Sequence, residues 1–254
     1  MKVTFLGTGT SQGVPMIGCT CEVCRSLDYR DKRLRTSVHL EVGGLSIVID
    51  TGPDFRQQML REKISHLDAL IFTHAHRDHT AGLDDVRAYN FLQKMDMPVF
   101  GNGEVLDRLR VDYSYAFGEV SYPGLPRLEL KEINNASFSI NGVNITPLPV
   151  KHLNLPVLGF RVNNFCYITD ANYIPDETLE KMQGTDVLVL NALQKAKHVS
   201  HFNFDEAIEQ AGIIKPRHTY FTHISHNLGL HANTSKELPG NISLAYDGLQ
   251  IDVE

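Results

Sequence analysis

The chain of 254 residues contains no tryptophan, only four cysteines and no apolar run near the ~20 residues that span a bilayer. Its first residues also lack the apolar core of a secretory signal. Basic residues are fewer than acidic ones, 24 against 30, which gives a net charge of −6. These features exclude a membrane span and argue against a stable nucleic-acid complex, since a surface that binds nucleic acid is usually basic.

Composition and cysteine usage indicate an ordinary folded protein. Hydrophobic residues make up 42% of the chain and charged residues 21%, and no repeat or linker-like tract interrupts it. We therefore expect one domain over residues 1–254. Three of the cysteines, Cys19, Cys21 and Cys24, are too crowded to form a disulfide framework, which indicates a reducing, cytoplasmic environment.

Short β-type runs alternate with helical patterns in both halves of the chain, which predicts a layered α/β sandwich. A capping box of Asn203 and Glu206 opens one helix, which we expect to end at Gly212. The other expected helices are 52–61, 83–95, 176–182 and 228–237. The expected strands are 2–6, 37–42, 45–50, 67–73, 137–140, 143–150, 157–163, 165–169, 186–190, 218–222, 243–246 and 249–253.

Residues 108–129 have no clear pattern, and we expect a loop or lid there. Tyr113, Tyr115 and Phe117 fall in this insert. They are either lid aromatics that shape a pocket or ordinary core aromatics.

The strongest chemical pattern is His74-x-His76-x-Asp78-His79, which follows an apolar strand. In an extended segment, His74, His76 and Asp78 point the same way, and His79 faces a neighbouring point. The segment can therefore supply ligands to two adjacent metal ions. Its imidazole and carboxylate groups are ligands that suit zinc, iron or manganese. The alternative is a polar loop that happens to hold three histidines.

Three more candidate ligands follow predicted strands: His152, Asp170 and His223. Taken singly, each has a structural alternative: His152 as a surface loop residue, Asp170 as a turn residue and His223 as a core histidine. Taken together, they would line one edge of the layered sheets.

With these residues in this order, the chain resembles the metallo-β-lactamase superfamily. The resemblance implies an αββα sandwich, with two mixed sheets flanked by helices. It also implies that Asp50 orients the ligand loop without binding metal. The implied dinuclear site has one metal on His74, His76 and His152, a second on Asp78, His79 and His223, and Asp170 as the bridge. Flavodiiron-type members, which carry out redox chemistry, usually have glutamate in place of the second histidine of the motif. The presence of His76 therefore favours hydrolysis over redox chemistry.

Two divalent ions, zinc or manganese, ~3.5–4 Å apart would hold a bridging water and lower its pKa from ~15.7 towards ~7. They would also stabilise negative charge on a phosphoryl oxygen. Phosphodiesters resist hydrolysis largely because their charge repels anionic nucleophiles. A dinuclear site therefore counters the main obstacle to that reaction.

Cys19, Cys21 and Cys24 supply three thiolates to a structural zinc, which takes four ligands. The fourth is either Cys166, which also reads as a buried free cysteine, or the better placed His226, three residues past His223. Reduced thiols without metal are the alternative.

Further segments narrow the resemblance to the PhnP-type phosphodiesterases, which open cyclic phosphates of ribose. They are Gly7-Thr8-Gly9-Thr10-Ser11, the cysteine loop, Arg33-Leu34-Arg35-Thr36-Ser37 and Leu244-Ala245-Tyr246-Asp247-Gly248. The resemblance implies a structural zinc on Cys19, Cys21, Cys24 and His226. PqqB-like proteins share much of this pattern.

The PhnP-like and tRNase Z-like pattern also implies that His201, just before the capped helix, is the general acid, with His198 as the second candidate. The alternative is an exposed loop histidine. His201 and Asp78 are the residues that we assign to catalysis.

We predict a dinuclear phosphodiesterase that acts on small cyclic ribose phosphodiesters. The alternatives are a PqqB-like accessory or carrier protein and a tRNase Z-like nuclease, although the chain has no Gly/Lys-rich RNA-clamping insertion. The expected partner is a small-molecule substrate. The sequence leaves open whether the chain forms a homodimer.

Overall fold

The computed structural model describes residues 1–118 and 123–254. Among them are fourteen strands, numbered in chain order. They are β1 Lys2–Gly7, β2 Ser37–Val42, β3 Leu45–Ile49, β4 Ala69–Ile71, β5 Met97–Gly101, β6 Leu128–Glu132, β7 Phe138–Ile140, β8 Val143–His152, β9 Leu155–Val162, β10 Phe165–Tyr167, β11 Val187–Asn191, β12 His218–Thr222, β13 Ile242–Leu244 and β14 Gln250–Asp252.

The strands form two mixed sheets of seven. The first has the order β14-β1-β2-β3-β4-β5-β6, and the second has the order β13-β12-β11-β10-β9-β8-β7. In the first sheet β3 to β6 run parallel, and in the second β10 to β13 run parallel. Each sheet therefore has a parallel half, and the connections across these halves leave room for helices on the outer faces.

Eight α-helices are described, numbered in chain order. They are α1 Glu22–Arg25, α2 Phe55–Glu62, α3 Arg77–Thr80, α4 Arg87–Gln93, α5 Gly103–Asp112, α6 Asp176–Lys181, α7 Phe204–Ile214 and α8 His231–Thr234. Short 3₁₀ turns lie at Tyr29–Asp31, Leu83–Val86, Ser114–Ala116, His226–Leu228 and Ser235–Glu237. No helix in the described part of the chain is long and apolar enough to cross a membrane.

Three apolar layers hold these elements together. The central layer lies between the sheets and joins residues such as Phe5 and Ile49 of the first sheet to Phe160 and Tyr167 of the second. A second layer packs α2, α4 and α5 on the outside of the first sheet, and a third packs α7 on the outside of the second. The predicted αββα sandwich with two mixed sheets is confirmed.

Local signals account for several element ends. The capping box of Asn203 and Glu206 is present, with the Asn203 side chain accepting from the Glu206 N–H. Gly212 does not end that helix, however. It continues to Ile214, and Lys215 adopts the left-handed conformation that closes it, with φ 56°.

The expectation of a loop or lid over 108–129 is wrong at both ends, because a helix covers its first part and β6 begins at Leu128. Helix α5 runs to Asp112, capped at its start by Asn102, whose side chain accepts from the Val105 N–H at 2.9 Å. Tyr113 is buried and donates its hydroxyl to the Thr80 carbonyl, so it is a core aromatic. Tyr115 and Phe117 are exposed, and residues 119–122 of the insert lie outside the described part.

Three of the segments noted in the sequence meet in one buried network. Asp247 accepts from the N–H of Thr8 at 2.9 Å, from the Thr8 hydroxyl at 2.8 Å and from the N–H of Leu34 at 2.7 Å. Arg33 donates to the Thr8 hydroxyl and to the Ala245 carbonyl. Burial lowers the pKa of Arg33 to about 10. The network ties the first strand, the 33–37 segment and the chain end into one unit.

We expect Asp247→Ala to lower the free energy of unfolding by about 2–4 kcal/mol, because three buried donors lose their acceptor. Urea unfolding followed by circular dichroism measures this change. The matched control is Asp252→Ala, on an exposed position of β14, which should change it by less than about 0.5 kcal/mol. Equal effects of the two substitutions would contradict the role of the network.

Candidate metal centre

The site lies where strands of both sheets end. Asp50 follows β3, Asp170 follows β10 by three residues, and His223 follows β12. All three have left-handed backbones, with φ of 66°, 53° and 54°. Such conformations are strained for residues other than glycine, and they turn the chain sharply out of each strand. The turns direct a carboxylate or an imidazole from each strand end to one point.

Asp50 is a fully buried carboxylate that holds the ligand loop. Its oxygens accept from the Thr73 N–H at 2.9 Å, from the Thr73 hydroxyl at 2.8 Å and from His79 Nδ1 at 2.7 Å. Because Nδ1 of His79 is engaged, only its Nε2 is left to bind a ligand. The following turn packs directly on the same loop, since a Cβ on Gly52 would lie 2.2 Å from the carbonyl oxygen of Asp78.

Asp170 is the centre of the site. Its Oδ2 lies 3.2 Å from His79 Nε2 and 3.1 Å from His223 Nδ1, and its Oδ1 lies 3.1 Å from His201 Nε2. Three groups of potential metal-binding atoms, each within 4.8 Å of one another, share this carboxylate. They are His74, His79 and Asp170; Asp78, Asp170 and His223; and His152, Asp170 and His201.

The ligand segment is not extended as expected. Helix α3 begins at Arg77, so Asp78 and His79 lie on a helical turn after His76. His74 therefore groups with His79, their rings 4.3 Å apart, although the motif alone assigned them to different metals. His76 is exposed and belongs to none of the three groups, but its ring lies 4.5 Å from that of His74 and 5.4 Å from that of His152.

Charge in the site is strongly negative around the histidines. Burial disfavours a charge on His79, but the carboxylates of Asp170, Asp78 and Asp50 outweigh it and raise the pKa of His79 well above its usual value. Burial lowers the pKa of His74 well below its usual value and that of His201 to about 4. Despite burial, the facing His223 and His79 hold the pKa of Asp170 well below its usual range. The buried carboxylates of Asp50 and Asp170 and the half-buried carboxylate of Asp78 therefore require positive charge at this point.

Divalent metal ions fit this requirement. Nε2 of His74 is buried and has no hydrogen-bond partner among the described residues. Nε2 of His79 lies within 3.3 Å of two carboxylates, but neither is aligned with it as a hydrogen-bond acceptor. Buried polar atoms without partners are costly, and nitrogen atoms aimed at shared carboxylate oxygens are ligands that zinc and manganese accept.

His201 stands against this cluster on the loop between β11 and α7. Its ring lies 4.4 Å from that of His152 and 4.9 Å from that of His223. Its Nδ1 lies 3.2 Å from Nδ1 of His198, which is exposed and contacts none of the carboxylates. The two histidines therefore have different places: His201 within the cluster and His198 at its outer edge.

Two positioning residues were missed by the sequence reading. The Ser200 carbonyl accepts from Nδ1 of His152 at 2.7 Å, which leaves His152 Nε2 free, and the Ser200 hydroxyl lies 3.1 Å from Nδ1 of His201. The Thr73 hydroxyl lies 3.0 Å from Nδ1 of His74. Only their position next to a predicted site histidine signals these roles in the sequence.

The four residues of the predicted zinc site are brought together. Nδ1 of His226 lies 3.3 Å from Sγ of both Cys19 and Cys21, and Cys24 completes a group of ligand atoms within 4.8 Å. Hydrogen bonds from the Cys24 N–H and from His226 lower the pKa of Cys21 to about 6. Three cysteines and one histidine are a usual donor set for structural zinc. Cys166 is buried elsewhere in β10, with its Sγ 3.0 Å from the Thr185 hydroxyl.

Comparisons with known proteins agree with this geometry. The Beta-lactamase superfamily domain matches residues 46–224. A solved structure of a diphosphatase from the PhnP family superposes with a TM-score of 0.93 at 39% identity, covering 100% of this chain and 98% of that one.

Among curated proteins, an octanoyltransferase of Porphyromonas gingivalis is 38% identical over the whole chain, and the chain spans 52% of its length. A ribonuclease Z of Mycobacterium sp. (strain KMS) is 26% identical over 77% of this chain and 70% of its own length.

We expect Asp50→Asn to weaken the binding of divalent ions ~10–100-fold, as loss of an outer hydrogen-bond partner of a ligating histidine does. Titration of metal-free protein with zinc against a chromophoric chelator measures this affinity. Asp96→Asn is the control, since Asp96 is exposed and pairs with Arg127 on the surface. Unchanged zinc affinity in Asp50→Asn would show that Asp50 does not position a ligand.

Cys21→Ser should lose one zinc per chain and melt at a lower temperature, because zinc at a closed four-ligand site contributes directly to folding. Elemental analysis and a thermal melt give the two readouts. Cys166→Ser is the matched control and should retain all its zinc. Equal zinc content in the two variants would refute the four-residue site.

Proposed function

The chain belongs to the beta-lactamase superfamily, and from this premise we propose that it is a metal-dependent phosphodiesterase that hydrolyses small cyclic ribose phosphodiesters. The single observation that carries the proposal is the convergence of His79, His223 and His201 on the carboxylate of Asp170. Side chains that could bind metal ions therefore lie close to a histidine that the family resemblance does not count among the ligands.

Each of the predicted ligands has a role in this proposal. His74, His76, His152, Asp78, His79, His223 and Asp170 would hold two divalent ions, zinc or manganese. Bound there, the ions would supply an acidified water and positive charge against the phosphoryl oxygens. Cys19, Cys21, Cys24 and His226 would hold a structural zinc.

In this proposal, His201 donates a proton to the leaving ribose oxygen. Hydrolysis bonds the oxygen of one water to phosphorus and breaks the bond from phosphorus to a ribose oxygen. That ribose oxygen leaves as an alkoxide unless it receives a proton. The Nε2 atom of His201 lies 3.1 Å from the Asp170 carboxylate, beside the residues that would hold the ions. Burial lowers the pKa of His201 to about 4, but the negative charge of a bound phosphodiester would favour its protonated ring. We therefore propose His201 as the general acid, with Asp78 as a ligand that positions the ion.

Ribonuclease Z-like cleavage of RNA is the second candidate, favoured by the curated ribonuclease Z relatives. The net charge of −6 counts against it, since long RNA is bound mainly through its phosphates. Octanoyl transfer is not part of the proposal, because nearly half of the octanoyltransferase relative lies outside the match. A small-molecule substrate, a cytoplasmic location and one domain over residues 1–254 are parts of the proposal.

We expect His201→Ala to retain the active-site metals and to lower turnover of a nucleoside cyclic phosphate ~10²–10⁴-fold, the usual contribution of a general acid. Hydrolysis of bis-p-nitrophenyl phosphate should fall much less, because a nitrophenolate leaves without a proton. Steady-state kinetics on both substrates, with elemental analysis of each protein, measures the split.

His198→Ala is the matched control, since His198 lies at the outer edge of the cluster, and its turnover should change by only a few-fold. An equal loss on both substrates in His201→Ala would remove the general-acid role. A metal-replete wild-type chain with no activity on either substrate would instead support the accessory or carrier reading.

A further inference from the structure

Asn191 is a buried polar side chain that the proposed chemistry does not use. It is the last residue of β11 and is fully buried. Its Oδ1 accepts from the Ala171 N–H at 2.8 Å, and its Nδ2 donates to the Ala171 carbonyl at 2.9 Å. One side-chain amide therefore satisfies both backbone groups of the residue that follows Asp170.

This pairing takes the place of a strand ladder that ends early. Strands β10 and β11 run parallel, and their register ends at the pair of Tyr167 and Val189. The Ile168 N–H still donates to the Val189 carbonyl at 2.8 Å, but the left-handed backbone of Asp170, with φ 53°, then turns the chain away from β11. Buried backbone groups without partners are costly, so the Asn191 amide stabilises this turn in place of the missing ladder bonds.

The same carbonyl joins the turn to the loop of His201. The Phe202 N–H also donates to the Ala171 carbonyl, at 2.7 Å, so this oxygen accepts both from that loop and from Asn191. Asp170 and His201 each lie one residue before the two partners of the backbone bond. The bond therefore constrains the separation of their side chains, whose Oδ1 and Nε2 atoms lie 3.1 Å apart.

The backbone of Asn191 also reaches the end of β12. Asn191 pairs with Thr222 in the parallel register of the two strands, and the Ala192 N–H donates to the Thr222 carbonyl at 3.0 Å. His223 follows Thr222 directly. Asn191 therefore lies where the segments that carry the central carboxylate and two of its neighbouring histidines meet, although both hydrogen bonds of its side chain go to Ala171.

We infer that Asn191 is a positioning residue, whose amide holds the turn that places the Asp170 carboxylate against His201. The inference rests on the proposed function for its effect on turnover, but its effect on metal binding needs no substrate. Without the amide, the Ala171 N–H loses its acceptor and the turn can relax towards an ordinary backbone conformation. The carboxylate would then bind divalent ions more weakly, and His201 would lose the position from which it delivers a proton.

Asn191→Leu tests the inference, since leucine has a similar volume and makes no side-chain hydrogen bond. Its affinity for divalent ions at the candidate metal centre should fall ~10–100-fold, as loss of an outer partner of a metal ligand does. Titration of metal-free protein with zinc against a chromophoric chelator measures this affinity. A thermal melt of each protein shows that the titration is done on the folded chain.

Turnover at metal saturation is the second readout. Asn191→Leu should lose about tenfold more turnover on a nucleoside cyclic phosphate, whose leaving oxygen needs a proton, than on bis-p-nitrophenyl phosphate. Asn191→Asp keeps an acceptor for the Ala171 N–H, so it should fall between Asn191→Leu and the wild-type chain in both readouts. It also replaces Asn191→Leu in the comparison if the leucine variant does not fold.

Thr219→Val is the matched control. Thr219 is fully buried in β12, and its hydroxyl has no hydrogen-bond partner in the described part of the chain. The substitution therefore removes a buried polar group of similar depth without breaking a bond, and both readouts should stay at wild-type values.

Wild-type zinc affinity in the folded Asn191 variants would overturn the inference, whatever their turnover. Equal losses on the two substrates would overturn its part that concerns His201. Similar losses in Thr219→Val would reveal a general effect of buried substitutions and would also overturn it. If the metal-replete wild-type chain hydrolyses neither substrate, the proposed function fails, and the zinc affinities still decide the role of Asn191.

Discussion

The carboxylate of Asp170 is the contact on which the rest of the site depends. It lies 3.2 Å from Nε2 of His79, which follows a strand of the first sheet, and 3.1 Å from nitrogen atoms of His223 and His201, which follow strands of the second. A buried carboxylate is stable only when it is paired, so both sheets must end at this point in the right register. The sandwich supports one anionic centre shared between its halves, and divalent metal ions would supply the positive charge that this centre requires.

The backbone is strained at three residues around the candidate metal centre. Asp50, Asp170 and His223 all have left-handed backbones, each costing ~1–3 kcal/mol relative to an ordinary conformation. The surrounding contacts hold them in place: Asp50 accepts three hydrogen bonds from the ligand loop, and the Thr169 hydroxyl donates to Asp170 at 2.6 Å. A strained turn also aims its side chain in a direction that a continuing strand could not provide.

A second layer of contacts positions the loops around that centre. The Asp247 network joins the first strand to the chain end, and the cysteine cluster connects the 19–24 loop to His226, three residues from His223. The N–H of Ile224 donates to the Thr8 carbonyl at 2.8 Å, which links the two networks. These loops stand beside His201, so a zinc ion at the cysteine cluster would stabilise the surroundings of the candidate metal centre.

The sequence by itself determined the fold class, most strand positions and the set of candidate ligands, because strand alternation, the Asn203 capping box and the spacing of His74, His76, Asp78 and His79 are local patterns. It missed β5, β6 and α5, although Asn102 and the apolar Val105, Leu106 and Leu109 carried a helix signal. Only the tertiary structure decided that His79 and His223 lie against the carboxylate of Asp170, and that His201 and not His198 reaches it. These contacts join atoms that are remote along the chain, and their distances follow from how two sheets pack, which no local pattern encodes.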